Sequence, residues 1–154
     1  MKAFTFPLES LRTLRKQREQ AAQQRYARTL VLCDGAARVL QLAEEELKAG
    51  HAMLMGELEA GATADRIINL RTWCTVLEIR RNECAAALAE AKRNANDAFR
   101  AMTAAARERE ALDRFHGKSH AHWQRAVHAE EQKMFDELAV QRQAAPMLEK
   151  SRLN

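Results

Sequence analysis

Residues that interrupt helices are scarce in this chain. Its 154 residues include five glycines and two prolines, and between Leu8 and Gly50 only Gly35 breaks an otherwise helix-compatible run. Aromatic residues are equally sparse at 5%, a bias of long helices and coiled coils rather than of a compact mixed fold. No apolar run approaches the roughly 20 residues that span a bilayer, so no direct membrane insertion is expected. The first residues show neither an apolar h-region nor a small-residue cleavage site, so the chain reads as cytoplasmic rather than secreted. Three cysteines with no CxxC pair fit a reducing compartment better than a disulfide framework.

What fills the space is alanine, arginine, glutamate and leucine, with 30% charged residues. The net charge of +4 hides a polarity along the chain: residues 1–38 are basic, residues 39–66 acidic, and the remainder nearly balanced. Such a distribution suits oriented electrostatic docking. Ala22, Tyr26, Thr29, Cys33, Ala36, Leu40, Ala43 and Leu47 recur with steps of four and three, a heptad stripe. Gly35 is a tolerated defect beside it, costing about 1 kcal/mol relative to alanine. A longer stripe runs from Ile67, Leu70, Cys74 and Leu77 through Arg81, Cys84 and Leu88 to Met102, Ala105, Arg109 and Leu112. Alanines between 85 and 106 allow close helix approach. After Leu112 the phase shifts to Val127, Glu131, Met134 and Leu138, as a stutter does.

The segment "EAGATADRIIN" (59–69) is a turn, with Gly61 as a left-handed C-cap and Thr63 or Asp65 capping the next helix. So short a link makes the two helices antiparallel. The expected architecture is all-α: two long helices in an antiparallel coiled-coil hairpin forming a single domain over 1–154. Helix one covers about 5–58 with Pro7 in its first turn, the turn about 59–64, helix two about 64–142, and a C-terminal tail 143–154 after Pro146. Folding about Gly61 pairs Leu8 with the neighbourhood of Arg114. Helix two then outruns its partner, leaving Phe115, Trp123, Val127, Met134, Phe135 and Leu138 on an unpaired amphipathic helix that is unstable alone in water. It is expected to dock on a partner protein or a second copy.

Candidate chemistry concentrates in "DRFHGKSHAH" (113–122). A phosphate loop requires G-x-x-x-x-G-K-[ST] on a strand-to-helix turn; here Leu112 stands where the first glycine belongs, and no strand precedes it. His116 and His120 are spaced i, i+4, as two zinc ligands can be, but no third ligand is nearby, while His122 and His128 point elsewhere. Cys33, Cys74 and Cys84 lie on the expected seam, where free cysteine acts as a small hydrophobe. Nothing sets a nucleophile beside a base and an orienting acid. The reading is therefore of a non-enzymatic chain with no metal or cofactor. Arg12, Arg15, Lys16, Arg18, Arg25 and Arg28 make the start basic, and a nucleic-acid-binding coiled coil is a rival reading. The bases spread around the helix, however, with only Tyr26 among them to stack on a base, so no nucleic-acid partner is expected.

The opening "FTFPLESLRTLRKQREQAAQQRYA", the segment "RIINLRTWCTVLE" and the late "EEQKMFDELAVQR" together resemble the FliJ family, the coiled-coil component of the flagellar type III export apparatus. The resemblance implies a cytoplasmic, non-enzymatic part that lies at the inner face of the membrane export apparatus. It implies a central stalk and assembly factor for the hexameric export ATPase, with further contacts to the membrane export-gate protein and to export chaperones. The equivalent stalk of a virulence-type injectisome is the alternative. The implied ATPase-docking residues are Arg12, Arg15, Lys16 and Arg18 with Arg107, Arg109 and Arg114 on the facing helix. Gate docking is implied for Trp73 and Leu77 with Asn69 and Glu78. The family's helix-one gate positions fall on Val39, Ala43, Glu46 and Gly50, which depart from its pattern.

Overall fold

The computed structural model describes residues 3–150, with side chains over 3–142. Two helices account for nearly all of it: α1, Glu9–Glu59, and α2, Ala64–Lys150. Within each of the two units described below, α1 packs against α2. Where the sequence suggests a single domain, the chain groups into two compact units, Gln17–Ala106 and the combination of Met1–Lys16 with Arg107–Asn154. The physical reason is that each residue of a two-helix hairpin touches only neighbours within a turn or two, so no common core gathers the whole length.

In the unit 17–106 the hydrogen bonds explain the turn. Ala62 N–H donates to Glu57 O at 3.0 Å and Gly61 N–H to Leu58 O at 3.2 Å, the paired closure of a Schellman motif. Gly61 supplies the required left-handed backbone with φ of 71°. Thr63, rather than Asp65, takes the N-cap position: its carbonyl accepts from Ile67 N–H at 3.1 Å, and Asp65 sits in the first turn, where its charge favours the helix N-terminus. Arg66 donates to Glu57 at 2.6 Å, tying the two helix ends together.

The expected stripes form the seam. On α1 the half-buried or buried positions in this unit run from Glu19, Ala22, Tyr26 and Thr29 to Ala43, Leu47 and Gly50, and on α2 from Ile67 to Ala105, without a missed step. Ala43, Gly50, Cys74, Leu77, Ala95 and Ala98 are its buried residues, and Tyr26 meets Phe99 at 5.5 Å between ring centres. The tightest layer is at Gly50, where a Cβ would lie 2.9 Å from Leu77 Cδ1 and 3.5 Å from Cys74 Sγ. Helix approach there depends on the missing side chain.

In the unit containing the chain ends, four expectations change. Helix α1 begins at Glu9, and Leu8 O accepts its first bond from Arg12 N–H at 2.9 Å; Pro7 therefore precedes the helix rather than sitting in its first turn. Burial decides this: Ala3–Phe6 is non-helical, and Phe6 is buried, which an early helix start would forfeit. The register is also shifted. Arg12 bonds Asp113, roughly one helical turn further along α2 than a fold about Gly61 implies, because the pivot is the whole capped turn.

The unpaired part of α2 is correspondingly shorter. Phe6 packs on Phe115 and His116, and Phe4 on His116, His120 and Trp123. Phe115 and Trp123 thus have partners within the chain. The stutter does occur, through His116, His120, Trp123, Val127 and Glu131, whereas Met134 and Leu138 are exposed. Helix α2 is continuous through Gly117 and past Pro146 to Lys150, where a tail over 143–154 was expected; residues 151–154 lie outside the described residues. A proline removes one backbone hydrogen bond, and the turns beside it can persist.

Candidate partner-docking surfaces

The basic terminal unit is built on a seam that turns polar. Extending the α1 stripe backwards by its own rhythm reaches Arg15 and Arg12, both half-buried. Asp113 answers them: it accepts from Arg12 Nε at 2.8 Å and from Arg109 Nη1 at 2.6 Å. Arg15 pairs with Glu108 across the helices, and Glu9 lies 3.5 Å from Arg12 within α1. The hydrogen bond from Arg12, and then that from Arg109, holds the Asp113 carboxyl below the usual carboxylate range against the desolvation that would raise it. The same contact to Asp113 raises the Arg12 guanidinium above its ordinary value.

The seven basic residues singled out from the sequence therefore separate by geometry. Arg12, Arg15 and Arg109 direct their charge into intramolecular pairs. Arg114 is exposed, with Glu110 3.7 Å away on the same helix. Lys16 and Arg107 are exposed and without an ion pair among the described residues; so is Arg18, in the other unit. Asp113 and Glu108 were missed by the sequence reading. The heptad extended to Arg12 was the available signal, but charged residues at seam positions do not announce themselves as a seam.

Two of the three histidines of 113–122 have a structural occupation. His116 and His120 stack with ring centres 6.4 Å apart, and Phe4 sits edge-on to both, at 5.6 and 5.0 Å. Among the described residues no group of three or more His, Cys, Asp or Glu side chains converges as a metal site.

At the turn end of the unit 17–106, the four positions of the second candidate surface also divide. Leu77 is buried against Gly50, so it belongs to the seam. Glu78 reaches His51 Nε2 at 3.4 Å, and Asn69 is exposed. Trp73 remains 53% exposed, far more than a packing residue needs. Val76, three residues on, is also exposed and is a neighbour of Trp73 on the α2 surface by its i, i+3 spacing, a pair the sequence reading did not assemble. Its signal was available as an apolar spacing offset from the seam. Contiguous apolar surface carrying tryptophan is typical of protein interfaces.

Among the described residues no helix is long and apolar enough to cross a membrane. No curated protein and no solved structure gives a significant match. One family does: the model described as "Flagellar FliJ protein" aligns with residues 4–147, from the N-terminal phenylalanines to beyond Pro146, and on that match the chain belongs to the FliJ family of flagellar export components.

Proposed function

We propose that this chain is a non-enzymatic stalk of the flagellar export ATPase, acting at the cytoplasmic face of the inner membrane. The family match over residues 4–147 carries the reading. The terminal unit enters the hexameric ring, guided by exposed positive charge on Lys16, Arg107 and Arg114; Arg18, in the other unit, adds exposed positive charge of its own. Arg12, Arg15 and Arg109 contribute by holding the two helices in register, since their charges are already matched. A part that promotes assembly of a ring, and slips within it, gains more from long-range charge than from apolar adhesion, which would lock one orientation.

The turn end serves the membrane export gate. Trp73, with Asn69 beside it, supplies the exposed contact. Leu77 acts from within the seam by setting the α2 surface on which Trp73 stands, and Glu78 flanks it. Export chaperones are the third partner class. The test is ATP hydrolysis by the cognate flagellar export ATPase with and without sub-stoichiometric chain. Stimulation saturating near one copy per hexamer, and weakened by charge reversal at Lys16, Arg18 and Arg107 together, supports the proposal. An unchanged rate with folded chain overturns the ATPase role.

A further inference from the structure

Two helix-interior glycines of α1, like Gly117 on α2, have no explanation inside the chain. A Cβ at Gly35 or Gly56 would meet nothing within 4 Å, yet glycine weakens a helix relative to alanine. Gly50 is accounted for by Leu77, and Gly61 by its left-handed backbone. Gly35 and Gly56 are three heptads apart and share their helix position with Leu42 and Ala49. Leu32, Val39 and Met53 run alongside, a step nearer the seam. Leu32 is 68% exposed, and Val39, Leu42 and Met53 are each more than half exposed. Helix α1 thus carries a second apolar stripe, with small residues spaced for close backbone approach, about 110° around the helix from the one that meets α2. Glu46 lies on this stripe, but its carboxylate is turned to Arg80 at 3.0 Å.

Charge identifies the occupant. The stripe is flanked by Arg25, Arg28 and Arg38 on one side of Leu42 and by Glu45 and Glu59 on the other. Arg25, Arg38 and Glu59 are exposed and make no ion pair among the described residues, and Glu45 only accepts from Gln41. The pattern is complementary to itself when reversed. A two-fold axis at Leu42 sets Gly35 opposite Ala49, Leu32 near Met53, Arg25 opposite Glu59 and Arg38 beside Glu45, each twice. A parallel pair would instead oppose like charges at every level.

We infer that the Leu32–Met53 face of α1 is an interface on which a second copy of this chain packs antiparallel about Leu42. The contact is separate from the proposed ATPase surface; it shares Val39 and Glu46 with the helix-one gate positions, where this chain departs from the family's pattern, and its test uses the chain alone.

Sedimentation equilibrium of the full chain, from micromolar to high-micromolar concentration, tests it. The expected result is a reversible dimer for the wild type, weakened at least about tenfold by Leu42→Glu, which places two like charges face to face on the axis. Gly35→Ala supplies a control for folding. Its methyl group meets open space in the single chain, so thermal stability of the monomer is unchanged or higher while dimerisation weakens. Under mild oxidation Leu42→Cys forms a reducible dimer; Lys48→Cys, off the stripe, and the wild type with its native Cys33, Cys74 and Cys84 do not. A wild-type chain that stays monomeric throughout overturns the inference and leaves the face to a helix of another protein. So does a dimer indifferent to both Leu42→Glu and Gly35→Ala.

Discussion

The two units run on the same heptad rhythm but fill it with opposite chemistry. Between 17 and 106 the buried layers of the seam are alanine, leucine, cysteine and a glycine that lets the helices close to contact distance, with Glu19 and Arg81 only half-buried along it. In the unit of the chain ends the corresponding positions of α1 carry Arg12 and Arg15, and α2 answers with Asp113, Arg109 and Leu112. An apolar seam stabilises in proportion to area removed from water and is indifferent to pH. A charged seam contributes less per pair, because half-exposed ions keep much of their solvation, but it fixes register and senses proton and salt concentration. One fold thus joins a stability element to a positioning element.

The contrast is sharpest at Leu77. Leu77→Ala should cost about 2–3 kcal/mol, the lower part of the range for a buried leucine, because the slender seam can partly collapse. Urea unfolding followed by circular dichroism measures this. A loss below roughly 0.5 kcal/mol would mean that Gly50 and Cys74 do not form the tight layer described above.

A smaller effect, with a different signature, is expected at the other seam. Asp113 is held below its ordinary pKa by Arg12 and then Arg109, so ionised Asp113 favours the folded state. Its contribution is fully present above the unfolded carboxylate value, about 3.9, and is lost as pH falls through the lowered native value. Asp113→Asn should therefore lower the melting temperature at neutral pH, and the gap from the wild type should close in acid. Raising salt should narrow it as well. A gap constant from neutral pH to pH 3 would remove the charge from the explanation.

The smallest change separates cost from purpose. Gly117 lies within α2 with open space where a Cβ would be. Gly117→Ala should stabilise the helix by about 0.5–1 kcal/mol without disturbing the contact of Phe4 with His116 and His120. Destabilisation in thermal melts would show that the glycine is needed for that aromatic packing.

These differences also decide what was legible in the residues alone. The α2 stripe from Ile67 to Leu112 and the turn at Gly61 could be read directly, since apolar spacing and capping chemistry are local. The α1 seam faded below Ala22 because arginine at a seam position looks like solvated surface. Pro7 points to a helix start near residue 5, whereas packing of Phe4 and Phe6 on Phe115, His116 and Trp123 keeps residues 3–6 out of the helix. The register was misplaced by roughly a turn because no single residue states where a hairpin pivots. Of the candidate docking residues, sequence supplied the types but not the division between exposed Trp73 and buried Leu77, or between paired Arg12 and unpaired Lys16. That division depends on the facing helix.

The spacing of the cross-helix bonds carries a consequence for the order in which the chain folds. Arg66 reaches Glu57 across nine residues, whereas Arg12 reaches Asp113 across 101. Closing the longer loop costs more chain entropy, so the capped turn is the natural nucleus and the helices zip outward from it. The arginine–aspartate contact is then among the last to close and the first to open. Amide exchange should be slowest around Gly50 and Leu77 and fastest near Arg12, which leaves the ends free to reopen while the turn remains closed.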